Sequence, residues 1–219
     1  CLGKLNLFDL SQISIQKIDS NIGLLTKLSF LWLQENPNLV GRIPSEVAKL
    51  MMRNDKINAS ETILSNVPVS RSTIFEYGTS QFRAFNYILY RYRMQQDQIS
   101  LKSTDLVYQY ILETIYFWMN GNKWWDRNDY WLASDNYCNW DGIEECNADD
   151  EATKLDLYHN YVDGTLPKEL GYLSKLTNLS FGSNSLSGSI VSEIGQLTDL
   201  ESLSLYLNEL TGSIPSEIG

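Results

Sequence analysis

The chain has 219 residues, 43% of them apolar, which is enough for a substantial core and too apolar for global disorder. Its formal charge of −10 argues against nucleic acid and anionic membrane surfaces as general partners. Three cysteines permit one bridge and leave one thiol over.

Near the start, Leu28, Leu31, Leu33 and Asn36 lead into Leu39, Gly41, Ile43, Pro44, Ser45 and Glu46. Leu5, Phe8 and Leu10 show the same leucine spacing one copy earlier, with Ile13 in the place of the Asn. Residues 1–50 are therefore expected to form a partial array of short strands. Residues 51–72 are polar and rich in Asn and Ser, which predicts a linker or an irregular surface excursion. Ser80 then precedes a helical pattern with Phe82, Phe85, Leu89 and Tyr92 on one stripe. A second helix, capped by Ser103 or Thr104, carries Leu106, Tyr110, Ile111, Ile115 and Trp118 and ends at Asn120 and Gly121. Arg83, Arg91 and Arg93 interrupt the first helix, and Asp105 and Glu113 the second, well short of the roughly 20 apolar residues of a membrane span. The densest stretch follows, with Trp124, Trp125, Trp131 and Trp140 beside Cys138 and Cys146. Residues 51–153 thus read as a linker and helical cap between two arrays.

From Lys154 to Gly219 a repeat with the spacing of Leu155, Leu179 and Leu203 can be laid on itself three times. Asn160, Asn184 and Asn208 fall in register, as do Gly164, Gly188 and Gly212, then Glu169, Glu193 and Glu217. Self-similarity at this period marks stacked coils. Alternating apolar residues, such as Leu203 and Leu205 or Leu179 and Phe181, turn one face of a short strand inward. The Asn after each strand is expected to form a structural ladder, because an amide both donates to and accepts from backbone groups of neighbouring coils. Each Gly suits a turn with positive φ, and Pro167 and Pro215 forbid a regular helix on the return path, a position that Val191 takes once. One coil buries too little to fold alone, so stability is a nearest-neighbour sum and the ends need caps. The chain opens at Cys1 without an initiator Met and stops at Gly219 in mid-pattern, so it is expected to be a fragment of a longer protein, with the partner of Cys1 left open.

Asn208-Glu209-Leu210-Thr211-Gly212-Ser213-Ile214-Pro215-Ser216-Glu217-Ile218-Gly219 resembles the N-x-L-x-G-x-I-P-x-E-I-G pattern of plant-type leucine-rich repeat proteins. With the shorter patch near the start, the resemblance covers roughly half of the chain. Cys138-Asn139-Trp140-Asp141-Gly142-Ile143-Glu144-Glu145-Cys146 is similar, with one extra residue, to the C-x-W-x-G-V-x-C element that caps the ectodomains of that family. In detail the cap is most similar to those of leucine-rich repeat proteins from microalgae. The resemblance implies an α/β fold: a leucine-rich repeat solenoid with short parallel strands on the concave face and an irregular or 3-10 convex side. It also implies a helical cap between the two patches, held by a Cys138–Cys146 disulfide. Such a bridge persists only in an oxidising compartment.

No chemistry stands out. A lone His159 near the cysteine pair is too few ligands for zinc, and the acidic run from Asp141 to Glu151 lacks the spacing of a calcium loop, so no metal or cofactor is expected. Tyr87, Tyr90 and Tyr92 beside Arg83, Arg91 and Arg93 read as core contacts of a helix and not as a nucleic-acid platform. G-x-S-x-G, H-E-x-x-H and phosphate-loop motifs are absent, and the protein is not expected to be an enzyme. Asn58-Ala59-Ser60 and Asn178-Leu179-Ser180 are glycosylation sequons, of which Asn58 is the candidate site.

Function is then expected on the outward, concave strand face. Its residues are Lys154, Asp156, Tyr158 and His159, then Asn178, Ser180 and Ser183, then Ser202, Ser204 and Tyr206. On the earlier patch Phe30, Trp32, Gln34 and Glu35 hold the equivalent places, with Trp32 the best interface anchor. The family resemblance implies a secreted or cell-surface, receptor-like recognition module for protein, peptide or glycan ligands. It also implies that a transmembrane helix or kinase could lie outside these residues. Two alternatives stand beside it: an intracellular scaffold with reduced cysteines, and an inhibitor or accessory module of a carbohydrate-active enzyme using the cap tryptophans. Oligomeric state is left open.

Overall fold

The computed structural model describes all residues except 1–4, 6, 11, 29, 34–35, 37, 54–58, 95–102, 125–130 and 133–135, with the backbone alone at 30, 32, 51–53, 71–72, 77, 90, 92–94 and 103. The chain divides into two compact units, Cys1–Leu101 and Lys102–Gly219. The division falls inside the 51–153 segment, so the two helices expected there as one cap belong to different units.

In the first unit, strands β1 (Leu7–Asp9) and β2 (Phe30–Trp32) pair in parallel, Leu7 opposite Phe30, which is the offset of the leucine spacing. Leu28, Leu31, Leu33 and Leu39 are buried behind them. Asn36 links the two coils: its Nδ2 donates to the carbonyls of Leu10 (2.6 Å) and Leu33 (3.0 Å), and its Oδ1 accepts from the Ile15 N–H at 3.2 Å. The amide thus serves the preceding coil, and Ile13, standing in the earlier of the two described coils, leaves neither of them unsupported. Strand β3 (Gly41–Arg42) begins at Gly41, whose φ of 90° a side chain would strain.

Beyond Pro44 the first unit departs from the repeat. Helix α1 (Ser45–Arg53) is followed by α2 (Ala59–Asn66), α3 (Arg71–Ile74), strand β4 (Glu76–Tyr77) antiparallel to β3, and α4 (Ser80–Met94). The expected irregular linker at 51–72 is therefore largely helical. Its polar composition conceals a stripe of Ala59, Ile63 and Val67, all buried at helical spacing. In α4 the core stripe is Phe82, Phe85 and Ile88, while Leu89 is only half-buried, and Thr79 caps the helix by accepting from the Phe82 N–H at 3.1 Å. Phe85 packs edge-on against Phe75 with centroids 5.5 Å apart.

The second unit begins with α5 (Ser103–Trp118), where Leu106, Tyr110, Ile111 and Ile115 are buried as the stripe predicts. Trp118 departs from it, at 39% exposure, with its Nε1 donating to Thr165 Oγ1 at 3.1 Å. Asn120 takes a left-handed φ of 53° and ends the helix. Trp124, Trp131 and Trp140 are buried against one another and against Tyr116 and Tyr137. They are core residues and offer no exposed face to a sugar. Cys138 and Cys146 are disulfide-bonded, with Cα atoms 6.0 Å apart.

Strand β5 (Ile143–Cys146) runs antiparallel to β6 (Ala152–Asp156), which pairs in parallel with β8 (Asn178–Ser180), and β8 in turn with β10 (Ser202–Ser204). Lys154, Asn178 and Ser202 stand opposite one another, as do Leu155, Leu179 and Leu203, so the register is that of the sequence repeat. The return path is less irregular than expected. Strands β7 (Asp163–Thr165), β9 (Ser185–Gly188) and β11 (Glu209–Leu210) form a second parallel sheet. There Asp163 stands opposite Ser185 and Ser187 opposite Glu209, an offset shorter than the period that sets the first sheet. Short 3-10 turns follow at Lys168–Tyr172, Ser192–Gln196 and Ser216–Ile218. These turns stack so closely that a Cβ on Gly171 would stand 2.2 Å from the Glu193 carbonyl oxygen, and one on Gly195 2.3 Å from that of Glu217.

Candidate functional site

Strand alternation builds the outward face. In β6 Leu155 is buried while Lys154 and Asp156 are partly exposed, and in β8 Leu179 is buried between Asn178 and Ser180, which are not. In β10 Ser202 and Ser204 hold the same places. The register therefore brings Lys154, Asn178 and Ser202 into one row and Asp156, Ser180 and Ser204 into the next. Phe30 and Trp32 lie on β2 of the other unit, where only the backbone is described. Gln34, and Asn58 of the candidate sequon, lie outside the described residues.

The amides after the strands hold the coils. Asn184 Nδ2 donates to the carbonyls of Leu157 (2.7 Å), Phe181 (2.9 Å) and Gly182 (3.2 Å), while its Oδ1 accepts from the N–H groups of Asn160 (2.9 Å) and Val162 (3.0 Å). Asn208 repeats the arrangement one coil on, donating to Phe181 at 2.8 Å and Leu205 at 3.0 Å and accepting from the Leu186 N–H at 2.9 Å. Asn160 is fully buried. The residue before each amide is left-handed: His159, Ser183 and Leu207 have φ of 49°, 58° and 52°. Non-glycine residues adopt this region at a cost, and here the ladder holds the turn in place.

That turn ends the face in an aromatic ledge. Tyr158, Gly182 and Tyr206 occupy one repeat position in three successive coils. A Cβ on Gly182 would stand 2.7 Å from the Tyr206 ring, so the glycine makes the space into which that ring leans. The Tyr158 and Tyr206 rings approach to 6.1 Å between centroids at 31°, and His159 and Tyr161 extend the row at 6.0 and 6.1 Å. Tyr158, Tyr161 and Tyr206 are 44%, 54% and 56% exposed. Hydrogen bonds from Ser183 and Tyr206 lower the Tyr158 pKa from the ordinary phenol value, and Tyr206, bonded to Tyr158, is raised. Tyr161 and Gly182 were not among the expected site residues. The signal for the glycine was present, since two tyrosines at one repeat position with Gly between them leave a gap for a ring.

The face is acidic. Lys154 makes an ion pair with Glu145 at 2.5 Å, and its pKa is raised first by that hydrogen bond and then by the charges of Glu145, Glu144 and Glu201. Asp156 Oδ1 accepts from the Tyr158 N–H at 2.9 Å, which fixes its carboxylate beside the ledge.

Residues 175–197 and 199–219 match the family described as Leucine Rich Repeat, and the C-terminal coils are repeats of that kind. A comparison with curated proteins gives no match. Among solved structures the chain is similar to the BIR2 ectodomain from Arabidopsis thaliana, at 28% identity over 48% of this chain and 58% of that one, with a TM-score of 0.40. It is similar also to the Arabidopsis receptor kinase HAESA ectodomain, solved with an IDA peptide hormone, at 32% identity over 40% of this chain and 15% of that one, with a TM-score of 0.36. A plant ice-binding protein shows 25% identity over 49% of this chain and 42% of that one, with a TM-score of 0.35. The chain thus spans at most 58% of the length of these three. None of the described helices is long and apolar enough to cross a membrane.

Proposed function

We propose that the protein is a non-catalytic recognition module that binds a protein, peptide or glycan on the strand face of its leucine-rich repeats. The observation that carries this reading is the row of partly exposed side chains on β6, β8 and β10, set in register and ending in the Tyr158–Tyr206 ledge. A rigid open face with exposed tyrosines suits recognition by surface complementarity. Phe30, Trp32 and Gln34 extend the binding role to the first patch. Helix α5 and the tryptophan-rich disulfide element cap the solenoid, in the manner of the microalgal proteins that the sequence resembles. The Cys138–Cys146 bridge supports a secreted or cell-surface location.

The test is a selection of random displayed peptides on the oxidised protein. Ser180→Trp and Ser204→Trp fill the face, and Ser189→Trp, at an exposed convex position, is the control. Selected peptides should lose binding to the first two variants and keep it on the control. Equal binding to all three would rule out the strand face. Alkylation of the protein from its native cells should leave Cys138 and Cys146 unlabelled until reduction, and labelling without reduction would favour the intracellular scaffold.

A further inference from the structure

Resting on the reading of the strand face as a binding surface, we infer that its ligand is cationic: a peptide bearing arginine or lysine, whose side chain lies over the Tyr158–Tyr206 ledge with its charge on Asp156. The ledge is built for a flat or extended group. Gly182 lets the Tyr206 ring lean toward Tyr158, the two rings lie within 31° of parallel, and Ser183 and the two phenol groups tie the arrangement together. An aromatic face attracts a cation through its quadrupole, and guanidinium also stacks on it.

The surrounding charge selects the sign. Asp156 is held beside the ledge by the Tyr158 N–H, and its charge adds a little to the rise in the Tyr206 pKa that the hydrogen bond to Tyr158 chiefly causes. Lys154 is the one cation on β5, β6, β8 and β10. It is paired with Glu145 and has Glu144 and Glu201 about it, so acidic groups outnumber it on these strands. The excess extends over the unit. Residues 102–219 carry nineteen acidic and six basic residues, whereas residues 1–101 carry eight and eleven. The acidity of the chain therefore resides wholly in the unit that bears the ledge. Its field raises the local concentration of cations and repels acidic peptides, while a neutral sugar gains nothing from it.

The experiment follows the tyrosine ring signals of the full oxidised chain by NMR, assigned with Tyr158→Phe and Tyr206→Phe. The probes are N-acetylated tri-arginine amide, its uncharged tri-citrulline counterpart and a neutral hexasaccharide. The arginine peptide should shift Tyr158 and Tyr206, and the citrulline peptide should not. Asp156→Asn, Tyr206→Ala and Gly182→Val should each weaken arginine-peptide binding about two- to fivefold. Asp199→Asn, which removes a carboxylate paired instead with Lys175, should leave it unchanged. Arginine-peptide binding that leaves both tyrosines unmoved, or that Asp199→Asn weakens as much as Asp156→Asn, would overturn the proposal in favour of diffuse attraction. Shifts produced by the citrulline peptide or the hexasaccharide but not by the arginine peptide would overturn the cationic ligand and leave the strand-face reading standing. No shift from any probe would overturn the ledge, and the strand-face reading would fall with it only if Ser180→Trp and Ser204→Trp also left the displayed peptides bound.

Discussion

Pro44-Ser45-Glu46-Val47-Ala48 in the first unit and Pro167-Lys168-Glu169-Leu170-Gly171 in the second occupy the same place in the repeat and lead to different structures. After Pro167 the chain makes a five-residue 3-10 turn and returns to another strand, whereas after Pro44 it runs into the nine-residue helix α1. Gly171 sits where a Cβ would press on the Glu193 backbone of the next coil, so its bare backbone is what lets that coil stack. Ala48 carries the Cβ that such stacking forbids and favours helix over turn. Strand β3 then finds an antiparallel partner in β4, while its counterpart β7 pairs in parallel with β9. A shared strand and Asn ladder do not by themselves commit the chain to a further coil. The residue four places after the Pro takes part in that choice.

The comparison breaks most visibly at high pH. Burial raises the pKa of Tyr110, Tyr137 and Tyr108, all in the second unit. Their contribution to stability is complete below the ordinary phenol value of about 10 and is lost as pH rises through the higher folded values. Five of the six tryptophans lie in that unit, so tryptophan emission should report its destabilisation as pH rises above about 10, and emission that stays flat would contradict the buried phenols. Next in size, Gly171→Val should destabilise the second unit by about 3 kcal/mol through overpacking, whereas Ala48→Val in the first should cost under about 1 kcal/mol. Urea midpoints that move equally for both would show that the glycine does not control stacking. Cys138→Ser with Cys146→Ser should remove about 2–3 kcal/mol from the second unit and leave the first unchanged in differential scanning calorimetry. Smallest of these, Asn184→Leu and Asn36→Leu should each cost about 1–2 kcal/mol. Each amide bonds backbone groups of its own and the preceding coil, which the leucine leaves unpaired, and an unchanged midpoint in chemical denaturation would reject the ladder.

Much of the repeat was legible because coils that pair in parallel write their neighbours into their own period. Residues one period apart become partners, so Leu155, Leu179 and Leu203 could be set side by side without coordinates. Stripe and strand alternation carried the same local information for Leu106, Tyr110 and Ile111 and for the outward Asp156, Ser180 and Ser204. The second sheet was not visible, because Asp163, Ser185 and Glu209 show no common pattern and the strands that hold them pair out of step with the repeat. Helix α2 was hidden by its Asn and Ser content, and what holds it is the burial of Ala59, Ile63 and Val67. Trp118 fits a helical stripe, yet a hydrogen bond to the distant Thr165 keeps it at the surface.

By itself, then, the sequence determined the period, the inward leucines and the amide ladder, since each depends on contacts between adjacent coils that recur once per period. Tertiary structure alone decided which polar segment becomes helix and that Tyr206 leans over Gly182 toward Tyr158. Those outcomes depend on free space and on burial supplied by residues far away in the chain, and neither leaves a period to be read.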